Sequence, residues 1–305
     1  MSQCSCPTNC FPLCTIGTEP NSWNVCAGGD AGNIDTFWDS MHGHPSYPTH
    51  PMHNHEYSNH RTHGIPIRLH GDGVTSIACG KIWAKSVEAL SWSSCLAKPG
   101  ASWVTNFLIL FVFECIVAGE SMDVVFANLA WSLYWAYLGV HPDRCPKGIL
   151  YTTGVDFDNA LKPLAGGYFL VLWILRADLE WIVKRLWLSD YRSNDCILCE
   201  AGNGPDMPAW TDFREVAPWM RTLWNKLTWQ HAYPGRHRLF KSLPGLSVVS
   251  YVPDPLHTKY IGTDGYFLGG LLRYLTHHLL TCRRESETNR ARHAGSLPLV
   301  RGVEW

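Results

Sequence analysis

The stretch Ile65–Val74, I-P-I-R-L-H-G-D-G-V, is a short apolar strand pattern that ends in a carboxylate, Asp72, held between Gly71 and Gly73. Apolar and polar residues alternate through it, as in a strand with one buried face. A carboxylate at the C-terminal edge of a strand stands where open α/β sheets gather their ligand residues. The flanking glycines let another group come close to the backbone, so the position invites a metal or a polar substrate.

A counterpart lies far downstream. Tyr168–Leu175, Y-F-L-V-L-W-I-L, is almost unbroken apolar sequence and is followed by Arg176, Ala177 and Asp178. A run of this length is too short to span a membrane and fits a central strand covered on both faces. Asp178 then closes the strand and precedes a helical pattern over Leu179–Leu188, so the residue has a second, purely structural use as a helix N-cap.

Length and composition bound the rest. The chain of 305 residues is long enough for one large domain with an insertion, or for two domains. Charged residues make up 17%, below the roughly 25% of an average soluble domain, and Trp reaches 15 copies, which predicts a well-buried globular chain. Lys and Arg number 25 against 26 Asp and Glu, so no global positive charge advertises nucleic acid. The 12 Cys follow no basic and apolar leader pattern. They predict reduced thiols and a location in the nucleus or cytoplasm, with no secretion. The apolar stretch 107–118 is interrupted by Glu114 and is too short for a span, so no membrane partner is expected.

Taken in order, residues 1–60 read as a disordered or irregular arm rich in Cys and His. Cys4, Cys6, Cys10 and Cys14 lack the second ligand pair that a metal site needs, and His42, His44, His50, His53, His55, His60, His63 and His70 stand in loop-like sequence. From 61 to 280 a single α/β (α+β) domain is expected. Val74–Ala78 and Lys81–Trp92 continue antiparallel from the first strand, Asn106–Val117 supplies a third, and Ser121–Leu138 has helical spacing. With Asp178's strand and helix the order is β-β-β-α-β-α, that of a ribonuclease H-like mixed sheet flanked by helices, in which carboxylates of the first and fourth strands meet at one edge.

An insertion at about 190–245 carries Cys196-Ile-Leu-Cys199, then His231 and His237. A CxxC pair places two sulfurs on one metal and a later His pair completes a tetrahedral zinc set; ordinary cysteines are the equal alternative. Trp210, Trp219, Trp224 and Trp229 predict an amphipathic helical segment there, more simply a packing seam than a base-stacking surface. Pro253–His257 leads into an apolar helix over Tyr266–Leu280, and 281–305 is a basic tail.

These pieces together resemble a cut-and-paste DNA transposase of the DDE class, nearest to the CACTA (En/Spm-like) type. The matching pieces are H-G-D-G-V at Asp72, L-R-A-D-L at Asp178, C-I-L-C at Cys196–Cys199, the His231 and His237 pair, and D-P-L-H-T-K-Y-I-G-T-D from Asp254 to Asp264. The resemblance spans about 65–275. It implies an acidic triad holding two Mg²⁺ or Mn²⁺ ions for DNA strand cleavage and transfer, with Asp72 as first acid and Asp178 as second. It also implies structural Zn²⁺ at Cys196, Cys199, His231 and His237, His257 as part of the Leu-His motif, DNA as partner, and room for a homo-oligomer. The third acid has no clear match; Glu285, in the basic end of the last helix, is the weak candidate. No N-terminal DNA-binding domain is recognisable, so a truncated or degenerate copy is expected, and both an active and an inactive domain stay open. The alternative is a non-catalytic, zinc-containing module that binds nucleic acid or protein. A chain that never folds stably is the third.

Overall fold

In a computed structural model, the described residues are 26–56, 59–77, 85–98, 105–113, 117, 120–188, 196–202, 204–233, 235, 237–255 and 264–279. They form five strands in one open, mixed sheet and eight α-helices. The chain divides into two compact units, Met1–Pro253 and Asp254–Trp305.

The sheet is organised around β1 (Gly64–Ile77). β2 (Lys85–Ser94) pairs antiparallel with it, from Ile67↔Ser94 to Ile77↔Lys85, and β3 (Phe107–Phe113) pairs antiparallel with β2. On its other side β1 pairs in parallel with β4 (Phe169–Ala177), and β4 in parallel with the short β5 (Tyr251–Pro253). The order is therefore β3-β2-β1-β4-β5. Ile65, Ile67 and Leu69 on β1 and Phe169–Trp173 on β4 are all buried.

Between β3 and β4 the chain forms α3 (Ser121–Leu138), whose bounds coincide with the helical spacing read from the sequence. It buries Met122, Phe126, Leu129, Ala130 and Leu133, which recur every three or four residues. It stops at Gly139, whose φ of 69° turns its N–H onto the carbonyls of Trp135 and Ala136. A short α4 (Val155–Asn159) precedes β4, and after β4 come α5 (Leu179–Leu186) and, past a run of turns, α6 (Lys226–Ala232) and α7 (Arg238–Ser242).

Two segments differ from expectation. Residues 26–63 are irregular in backbone, yet they pack on the sheet. α1 (Gly32–Ser40), a 3₁₀ turn (Pro51–Asn54) and the one-turn α2 (His60–His63) bring in Ile34, Trp38, Tyr47 and Met52 as core. Trp38 is fully buried, donates its indole N–H to the Gly64 carbonyl at 2.8 Å, and meets Trp173 edge-on at 5.1 Å. Trp173 is the extra residue of a bulge, since Ile67 pairs with Leu172 and Arg68 with Ile174. The histidines serve as aromatic packing here: His55 stacks on Phe169 at 3.8 Å, and His44 and His50 lie against Trp173. The second difference is the Trp-rich stretch, which holds a 3₁₀ turn (Pro218–Thr222) and is α-helical only from Lys226 on. Pro218 stands in the first turn of that 3₁₀ segment, where its missing N–H costs nothing. The loop is tied by Trp219, whose indole donates to the Asp212 carbonyl at 2.6 Å.

Of the second unit, α8 (Asp264–Arg273) and a following π-helical turn (Tyr274–Leu279) are described; the helix begins two residues ahead of the expected Tyr266. α8 buries none of its residues; Tyr266 is 85% exposed. Among the described residues no helix is long and apolar enough to cross a membrane.

Candidate functional site

The end of the parallel pair β1–β4 is where the two singled-out aspartates meet. The last register partners are Gly71 and Ala177, so Asp72 and Asp178 each follow one step beyond a paired residue. Adjacent strands lie about 4.8 Å apart, which makes the two α-carbons neighbours across the sheet. Both side chains are half-buried. Behind them, His70 and Arg176 face each other in the same register.

Asp178 serves as the helix cap that its position allowed. Its Oδ1 accepts the Trp181 backbone N–H at 2.6 Å, capping α5. A carboxylate at a helix N-terminus is stabilised by the unsatisfied amides and the helix dipole. One carboxylate oxygen is thereby committed to the helix.

What comes close to the glycine before Asp72 is a side chain. A Cβ on Gly71 would overlap the Trp181 ring, while one on Gly73 would meet nothing within 4 Å among the described residues. The Trp181 indole then donates to Glu88 Oε2 at 3.0 Å, and the Arg185 guanidinium donates to the other oxygen, Oε1. Glu88 pairs with Gly73 across β1–β2 and is 6% exposed. The sequence analysis did not single out Glu88. The signal that could have found it is a lone Glu inside an apolar strand pattern, which asks for a buried partner.

The four expected zinc ligands are not gathered. Cys196 Sγ accepts the Leu198 N–H at 3.3 Å and Cys199 Sγ accepts the Ala201 N–H at 3.4 Å. Burial, with the Cys196 thiol beside it, pushes the Cys199 thiol up to about 11. His231 is exposed on α6. His237 is buried elsewhere: its Nδ1 accepts the Leu239 N–H, capping α7, and its ring lies edge-on to Phe126 and Trp187, each at 4.8 Å. Burial holds His237 down at about 4, so it is a neutral packing group. No group of three or more His, Cys, Asp or Glu among the described residues is placed to hold a metal ion.

Glu285 and His257 lie outside the described residues. Compared with family models, curated proteins and solved structures, the chain matches none.

Proposed function

We propose that the chain is a ribonuclease H-like, transposase-type domain for metal-dependent cleavage and transfer of DNA strands, with Asp72 and Asp178 as its acidic pair. The observation that carries the proposal is the sheet. In the order β3-β2-β1-β4-β5, with β1 parallel to β4, the aspartates that end these two strands' pairing become neighbours at one edge.

The donor set suits the chemistry. Two carboxylates on adjacent strands present hard oxygen donors, the choice of Mg²⁺ and Mn²⁺. When bound, a pair of such ions stabilises the attacking and the leaving oxygen of an in-line phosphoryl displacement. The chain's own share is positioning. β1 carries Asp72, and the cap of α5 fixes the rotamer of Asp178, so that little side-chain freedom is lost on binding. A third acid would come from residues outside those described.

The test is nicking of supercoiled plasmid DNA with Mn²⁺ or Mg²⁺ by the wild type and by Asp72→Asn and Asp178→Asn. Asn also caps helices, so Asp178→Asn removes charge and leaves the cap. We expect metal-dependent nicking that falls at least 100-fold in each variant, as losing one group of a concerted site does. Nicking that survives both substitutions sinks the proposal.

A second reading, a non-catalytic zinc-containing module derived from a transposase, is favoured by one observation. The Cys196 and Cys199 sulfurs each accept a backbone N–H from two residues on. Hydrogen bonds of that kind stabilise thiolate ligands. Stoichiometric zinc in the purified protein and salt-dependent DNA affinity without nicking would establish it.

A further inference from the structure

Trp181 touches both aspartates' surroundings at once. Its ring covers Gly71, the residue before Asp72. Its backbone N–H donates to Asp178 Oδ1. Its indole N–H is held by Glu88, which Arg185, one turn further along α5, holds in turn. The three strands and the helix that build the acidic edge are thus pinned through one buried side chain.

We propose that Glu88 and Trp181 are positioning residues of the acidic pair: Glu88 fixes the Trp181 indole on Gly71, and so sets where α5 begins and where the Asp178 carboxylate stands relative to Asp72. This rests on Asp72 and Asp178 binding a divalent ion. A structural account alone does not explain the arrangement. Isolating a carboxylate and a guanidinium from water costs energy that apolar side chains would not, so a buried pair is better understood as fixing a geometry than as adding stability. The geometry fixed here is the register of a helix whose first residue's neighbour is the candidate ligand. Groups that orient a metal ligand by hydrogen bonds typically alter affinity 10- to 100-fold when removed.

The experiment is titration of Mn²⁺ into the full chain, free Mn²⁺ being read by electron paramagnetic resonance, for the wild type, Asp72→Asn, Glu88→Ala, Glu88→Gln and Trp181→Phe. The wild type should bind and Asp72→Asn should lose the site. Glu88→Ala should weaken the Kd about tenfold at unchanged stoichiometry. Glu88→Gln keeps an acceptor for the indole and should recover most of that loss. Trp181→Phe keeps a ring on Gly71 but has no indole donor, and should resemble Glu88→Ala; it also decides the matter if Glu88→Ala does not fold. A Kd equal to that of the wild type in Glu88→Ala, or in Trp181→Phe, overturns the positioning role while leaving the metal site standing. A wild type that binds no Mn²⁺, or an Asp72→Asn that binds as the wild type does, overturns the metal site and the positioning role with it.

Discussion

At the scale of single residues, Gly71 has no room for a side chain. The Trp181 indole occupies the space that any Cβ would need, and β1 cannot retreat because it is paired on both sides. Gly71→Ala is therefore expected to lower the unfolding free energy by about 1–3 kcal/mol, the usual cost of overpacking a filled core. Denaturant titration at constant m-value checks it, and an unchanged midpoint would show that Trp181 has somewhere else to go. Gly71 also shows how a sequence feature can be right in kind and silent in detail. Glycines beside Asp72 signalled a close approach; that the visitor is a tryptophan more than 100 residues on was not written locally. Asp178 shows the reverse, because the cap reading was written locally, in an Asp just ahead of a helical pattern, and the structure has that cap.

At the scale of elements, the strands and helices whose burial follows a simple period were legible. β4 is apolar as far as Leu175 because it lies inside the sheet, and α3 repeats every three or four residues because one stripe of it is buried. The mixed sheet followed from their order. What was not legible depends on tertiary contacts. Residues 26–63 have the Pro, His and Asn content of a loop, and they pack because Trp38, Met52 and a group of neutral histidines fill space beside Trp173 and Phe169. The Trp-rich stretch is amphipathic in composition, but its tryptophans stand 9, 5 and 5 residues apart, only a 3₁₀ turn forms ahead of Lys226, and Trp219 ties the loop to Asp212. His237 looked like a ligand by its place in the motif, whereas its position between Phe126 and Trp187 makes it an aromatic core residue and a cap. Spacing in sequence cannot tell which of two roles a histidine takes, because both roles ask for a neutral imidazole.

At the scale of the whole molecule, the packed histidines make the fold sensitive to acid. Burial, with smaller effects from nearby cations, holds His50 down at about 3 and His60 at about 4, and burial holds His237 at about 4. In the unfolded chain each takes up a proton near pH 6.5. Between those values the unfolded state binds more protons than the folded one, so their stabilising effect is complete above about pH 6.5 and is lost as the pH falls toward 4. Each of the three contributes a slope of about 1.4 kcal/mol per pH unit within that window. Thermal melts should therefore show Tm dropping steeply from pH 6.5 to pH 4.5, and a flat Tm over that range would mean that the histidines are solvated. The molecule's proposed purpose rests on something smaller, the meeting of two strand ends. The measurement that bears on it most directly is anomalous diffraction from crystals soaked in Mn²⁺. An anomalous peak within coordination distance of both the Asp72 and Asp178 carboxylates is the predicted result. Ordered carboxylates with no peak between them, at Mn²⁺ concentrations that support any nicking activity, would contradict it.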